Sequence, residues 1–229
     1  MKKINVLIDT NVLIRASLQE KDRIELIKLI SFTKRKIIKF IMFEIVLDEF
    51  QKYNDKLEET LTQEIGKVSK EIRNSLAKCQ LWNELNDLGD YLSNSLYKYQ
   101  GEKYYQATSF IEEINNLVKN RKIKTIKPDV KRYYETQRKI TRGLLPKINS
   151  NDLHIIDTIE EMCKKQTNGI ICFVTENKKD FFKTDDNGNY IKNSDGSFVI
   201  KNIDSSNLKA FISLKQLIAF IQKEGEINE

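Results

Sequence analysis

Three short runs, KINVLID at 3–9, KIIKFIM at 36–42 and GIICFVT at 169–175, are predominantly apolar, rich in β-branched residues and closed by polar or turn-forming residues. A strand that is apolar on both faces has to be covered on both, which is the condition of a buried parallel sheet. Stretches with helical spacing separate the runs, so the expected fold is α/β: a three-layer α/β/α sandwich around a central, mainly parallel sheet. Sheets of that kind bind ligands beyond the carboxyl ends of their strands. The first run ends there on a carboxylate, Asp9, which is costly to bury unless it is paired, hydrogen-bonded or bound to a metal.

The rest of the chain fills in the pattern. Ile24, Ile27 and Ile30, flanked by Leu26 and Leu29, recur at helical spacing over 22–31. From Glu44 to about Leu61, Val46, Phe50, Tyr53 and Leu57 form a helical stripe. A charged stretch with almost no Gly or Pro continues to about Asn120, and about 65–130 is expected to be a helical insertion within a single domain of 1–229. Pro128 and Asp129 open a helix that runs to Lys139, and Gly143 and Pro146 mark a loop. NSNDLHIIDTIEEMCKK reads as a capped helix. DDNGNY and NSDGSF bracket YIKN, so about 185–202 is expected to form a β-hairpin. KAFISLKQLIAFIQK closes the pattern as a strand and an amphipathic helix.

Composition removes several alternatives. With 40% hydrophobic and 31% charged residues, the 229-residue chain has apolar material for a core inside a solvated surface. No window offers 18 uncharged apolar residues, and two lysines lead straight into a strand pattern without a signal-peptide core, so the expectation is a soluble cytoplasmic protein with no membrane partner. Cys79, Cys163 and Cys172 are odd in number and widely spaced, which argues against a disulfide framework or a thiolate metal site. His154 is the only histidine and reads as a helix-surface or substrate-contact residue; any metal must be held by carboxylates.

Helical period selects among the acids. With Val46 at zero and about 100° per residue, Glu49 falls at about −60°, bordering the apolar stripe, whereas Glu44 and Asp48 fall at about 160° and 200°. Asp152 precedes Ile156, Ile159 and Cys163 at spacings of four, three and four, which puts it on the packed face of a first helical turn, where it could also be an ordinary helix cap. Asp157 faces elsewhere. Asn177 and Asp180 follow the strand that ends at Thr175. Acids brought to one edge repel unless a cation binds, and Mg²⁺ or Mn²⁺, one ion or two, suits hard oxygen ligands. Between 119 and 147 there are eleven Lys or Arg against Asp129 and Glu135, so a net charge of +6 conceals a mildly acidic body with one basic segment. Tyr133 and Tyr134 lie within it, a mixture that suits a phosphate backbone and its bases as well as it suits a solvated helix.

VLIDTNVLI with Asp9 and Asn11, IVLDEF with Glu49, NDLHIIDTI with Asp152, and FVTENKKDF with Thr175, Asn177 and Asp180 occur in that order, ahead of FISLKQLIAFI. In these motifs the chain resembles the PIN-domain nucleases. The resemblance implies metal-dependent cleavage of RNA, less often DNA, by an acidic quartet. Asp9, Glu49 and Asp152 would be its first three acids, with Thr10 and Asn11 forming the turn that holds Asp9. Family members often carry an aspartate where this chain has Asn177, with another acid three residues on, here Asp180; the amide oxygen of Asn177 can still serve a metal or a water. Arg138, Arg142 and Lys147, in the basic loop region before the third acid, would hold substrate phosphates. The expected function is an endoribonuclease of the toxin, defence or RNA-processing type, with an antitoxin or other regulatory protein as a partner and room for a homo-oligomer. Two other readings stay open: a non-catalytic PIN-like RNA-binding or scaffolding module, which Asn177 keeps alive, and a structure-specific DNA nuclease.

Overall fold

The first run lies at the centre of a five-stranded, all-parallel sheet. In the computed structural model, which describes residues 3–78, 86–142, 149–165 and 168–224, the strands are β1 (Lys3–Ile8), β2 (Ile38–Phe43), β3 (Lys124–Ile126), β4 (Gly169–Val174) and β5 (Leu208–Phe211), in the order β3-β2-β1-β4-β5. β1 pairs with β2 from Ile4↔Ile38 to Leu7↔Ile41 and with β4 from Lys3↔Gly169 to Ile8↔Val174. Every β1 residue after Lys3 is buried, so alternation is absent because no face meets water. The chain leaves β1 toward β2 and leaves β4 toward β5, which opens a crevice at the carboxyl ends of β1 and β4, where ligands bind in open α/β sheets.

Helices complete a three-layer α/β/α sandwich. After β1 come α1 (Thr10–Leu18) and α2 (Glu20–Lys34), and after β2 comes α3 (Glu44–Asp55). β3 leads into α6 (Val130–Thr141) and α7 (Ser150–Lys165); β4 leads into the single turn α8 (Lys178–Phe181), and β5 into α9 (Leu214–Glu224). α2 and α9 pack on each other, α2 also on β2 and α9 on β4 and β5, while α6 packs on α7. α2 turns a different face inward than its isoleucine spacing suggests: Leu26, Leu29 and Ile30 are buried, whereas Ile24 and Ile27 are exposed. Leu26 meets Leu29 and Ile30 at spacings of three and four, the contact pattern of one helix face, and burying each is worth about 1.5–3 kcal/mol. Thr10 and Asn11, expected in a turn, form the first turn of α1 instead. Cys163 and Cys172 are free and buried, and Cys79 lies outside the described residues.

Two helices end alike. Lys36 N–H donates to the Thr33 carbonyl and Ile37 N–H to that of Phe32, both at 3.0 Å, after α2. Arg121 and Lys122 repeat the pattern with Val118 and Leu117, both at 2.9 Å. This is the Schellman arrangement, whose left-handed residue is usually glycine. Here those residues are Lys36 and Arg121, at φ 60° and 55°, where a side chain costs roughly 1–2 kcal/mol.

Residues Gln51–Asn115 make a second compact unit, distinct from 3–50 with 116–224. It holds the end of α3, α4 (Leu57–Lys78) and most of α5 (Asn86–Lys119). Gln100 donates to the Thr62 hydroxyl at 2.7 Å and Arg73 to that of Ser93 at 3.4 Å, so α4 and α5 run antiparallel. Leu57, Leu61 and Ile65 on α4 are buried, as are Ala107, Phe110, Ile111 and Ile114 on α5. In the first unit, antiparallel bridges Phe182↔Ile200, Thr184↔Tyr190 and Lys192↔Phe198 fold the chain between β4 and β5. Gly188 and Gly196, at φ 81° and 83°, make its turns.

Candidate active site

Asp9 ends β1 in an extended conformation and caps α1. Its Oδ1 accepts the Thr10 N–H at 2.7 Å, and its Oδ2 accepts the hydroxyl of Thr175, at the end of β4, at 2.7 Å. Only 4% of Asp9 is exposed. Each hydrogen bond to the carboxylate is worth about 1.5–3 kcal/mol, while desolvating the charge costs several kcal/mol. Burial prevails: it pushes the Asp9 carboxyl above its ordinary pKa, Thr175 and Thr10 oppose it, and the charges of Glu49 and Glu176 add to the rise.

Thr10 also reaches the second acid. Its hydroxyl donates to Glu49 Oε2 at 2.5 Å, while the Asn151 side-chain amide donates to Glu49 Oε1 at 2.6 Å. Asn151 belongs to the first turn of α7, whose start is capped by Asn149 accepting the Asn151 N–H at 3.1 Å. The other side of the Asn151 amide accepts the Tyr133 hydroxyl at 3.2 Å, and Tyr133 in turn accepts from Gln137 at 3.2 Å. A hydrogen-bonded chain therefore runs from α6 through Asn151 to Glu49. Asp48, beside Glu49, is exposed, as the helical period predicts.

Asp152, also in the first turn of α7, is 8% exposed. Burial, then the charges of Asp9, Asp180 and Glu49, push its carboxyl up to about 7. Hydrogen bonds through Thr10, Asn151 and Asn177 gather Asp9, Glu49 and the α7 start that carries Asp152 at one edge of the sheet. Asp180, on α8, acts on Asp152 by charge. Asn177 donates its side-chain amide to Asp152 Oδ2 at 3.3 Å and its backbone N–H to the Thr175 hydroxyl at 3.0 Å. Thr175 therefore braces Asp9 while anchoring the turn that carries Asn177.

Sequence reasoning missed Asn151 and an adjoining arginine cluster. Arg15 binds Asp22 through two nitrogens, at 2.8 and 2.6 Å, and pairs with Glu176 through a third. Glu176 is raised by burial, and Arg15 opposes the rise. This pairing limits the negative field that Glu176 adds at Asp9. Arg15 and Asp22 lie on different helices, α1 and α2, and only the break at Gln19 brings them together, so no spacing rule of a single helix points to the pair. Asn11 is exposed and lines a shallow recess of about 360 Å³ with Arg15, Glu176 and Asn177.

Of the predicted phosphate contacts, Arg138 and Arg142 are exposed at the end of α6, while Lys147 lies outside the described residues, as do Gly143 and Pro146. His154 is not on the surface: it is 3% exposed and meets Tyr133 edge-on, ring centroids 5.8 Å apart. Its neighbours on α7, Ile155 and Ile156, are also buried, so the helix is covered over a wider arc than a single stripe.

Among the described residues, no three acids, cysteines or histidines converge closely enough to enclose a metal ion unaided. A magnesium site does not require such a cage, because Mg²⁺ keeps several waters and is commonly held by one or two carboxylates together with substrate phosphates. Asp9 and Asp152 offer hard oxygens of that kind, and the mutual repulsion of the acids is what a divalent cation relieves. No helix among the described residues is long and apolar enough to cross a membrane. A family model described as "PIN domain" matches residues 6–181. Neither a curated protein nor a solved structure gives a significant match.

Proposed function

The chain belongs to the PIN-domain family, a nuclease-type fold, and from that membership we propose that it is a metal-dependent endoribonuclease whose site is the acidic edge formed by Asp9, Glu49, Asp152 and Asp180. The observation that carries the reading is the hydrogen-bonded network beside β1 and β4, in which Thr10 joins Asp9 to Glu49, Thr175 holds Asp9, and Asn177 donates to Asp152. PIN domains typically use divalent metals. Asp9 and Asp152 would hold Mg²⁺ or Mn²⁺, and the bound ion supplies an activated water and charge stabilisation for the phosphodiester. Thr10 orients Asp9 through its N–H and Glu49 through its hydroxyl, Asn151 fixes the second Glu49 oxygen, and Thr175 locks Asp9 from the neighbouring strand. Arg138, Arg142 and Lys147 would contribute positive charge for the substrate.

The test is incubation of the purified chain with RNA, single-stranded DNA and duplex DNA, each with Mg²⁺, Mn²⁺ or EDTA, beside Asp9→Asn and Asp152→Asn. RNA cleavage that requires metal and both acids is the expected result. Cleavage surviving both substitutions would overturn the assignment. Binding without cleavage under any metal would favour a non-catalytic module, the reading that an amide at Asn177 supports.

A further inference from the structure

The opposite edge of the same sheet carries six cations around one recess of about 460 Å³: Lys3, Lys36, Lys39, Arg121, Lys122 and Lys124. Lys3, Lys39 and Lys124 stand at the amino ends of the adjacent strands β1, β2 and β3. Lys36 and Arg121 follow the carboxyl ends of α2 and α5. No carboxylate lines the recess, and none of the six forms an ion pair among the described residues.

Cations do gather at helix carboxyl ends because of the helix dipole. Each dipole end carries roughly half a negative charge, so two helices account for about one cation, not six. Both left-handed residues of the Schellman ends lie in this recess, and both are basic where glycine would be unstrained. Lys39 is half-buried, and burial together with the charges of Lys124 and Lys3 lowers its pKa, so the cluster is uncompensated as it stands.

We propose that this amino-edge recess is a phosphate-binding site, separate from the acidic edge, that takes either a backbone phosphate of a nucleic-acid strand or a free oligophosphate. Six uncompensated cations around a concave surface suit a polyanion. The proposal rests on the amino edge alone and stands whether or not the acids cleave.

The test uses the full chain in EDTA, with fluorescein-labelled single-stranded RNA and with inorganic tripolyphosphate as separate probes. The variants are the double change Lys36→Gly with Arg121→Gly, and Lys39→Gln. Glycine accepts the left-handed conformation without strain, so the double variant keeps or raises the melting temperature, and a loss of binding cannot be put down to misfolding. Two contacts removed from a single strand reduce the slope of log K against log[salt] by about 1.4. A reduced slope and at least about tenfold weaker RNA binding at low salt, with tripolyphosphate unbound by the parent chain, assigns the site to a strand. Loss of tripolyphosphate binding assigns it to a free oligophosphate. Unchanged binding of both probes in the folded double variant overturns the proposal. Asp9→Asn leaves binding at this edge intact, so failure of the nuclease reading and failure of this one give different results.

Discussion

The two ends of the sheet are built from the same strands and are chemically opposite. At the carboxyl end, Asp9 and Asp152 are buried, and Asp9 and Glu49 are held by short hydrogen bonds from Thr10, Thr175 and Asn151. At the amino end, about 20 Å away for a six-residue strand, cations are mostly exposed on long side chains and, among the described residues, no carboxylate lines their recess. The first arrangement fixes atoms, as bond-making chemistry requires; the second only concentrates charge, which is enough to hold a polyanion. The basic run between 119 and 147 contributes cations on both sides of β3 in the sequence. Arg121, Lys122 and Lys124 stay at the amino end, while Arg138 and Arg142 lie past the carboxyl end of β3.

The contrast can be broken most directly at the acids. Asp9→Asn keeps an oxygen for the Thr10 cap but removes the charge, and cleavage should fall by at least about 10²-fold while metal-free RNA binding holds; an unchanged turnover number would dissolve the distinction between the two ends. Asn151→Ala releases one Glu49 oxygen, and loss of such an orienting bond costs about 10–100-fold. The expected loss lies in kcat, with KM little changed; a loss confined to KM would make Asn151 a substrate contact instead. The double reversal Arg138→Glu with Arg142→Glu should lower the salt slope of RNA binding by about 1.4, and an undiminished slope would remove α6 from the interface.

The smallest effect is on stability. In the metal-free chain the Asp152 carboxyl is raised from 3.8 to about 7. Between those values the folded chain keeps a proton that the unfolded chain has released, so stability falls as pH rises through the window and levels off above it. Asp152→Asn should flatten that decline and raise the melting temperature at pH 8 by several degrees; parallel melting curves at pH 5 and pH 8 for parent and variant would contradict the burial and charge coupling at Asp152.

Much of this architecture was legible in the sequence, for a physical reason. Strands buried on both faces leave continuous apolar runs, and β1, β2 and β4 were visible as such. Period alone chose Glu49 over Asp48 and placed Asp152 on the packed face of α7. β3 is three residues long and half-exposed, so it left no run to read. Asn151 was invisible because an asparagine beside a helix start looks like a cap; only the approach of α7 to α3 makes it a partner of Glu49. His154 was misjudged because a lone polar residue gives no sign that a neighbouring helix, here α6, covers it. The amino-edge cluster draws its cations from loops and strand starts far apart in the chain, and no linear window contains it.

The hydrogen bond from Thr175 to Asp9 spans 166 residues. At about 5–20 residues per second, a ribosome needs on the order of ten seconds or more to travel from one to the other. The strand that carries the first acid is made early, whereas the strand that braces it, and the turn bearing Asn177 and Asp180, emerge late. An incomplete chain therefore cannot assemble the acidic edge, however well its early helices have formed. For a protein proposed to cut RNA, made on a machine built of RNA, this order of synthesis is itself a safeguard.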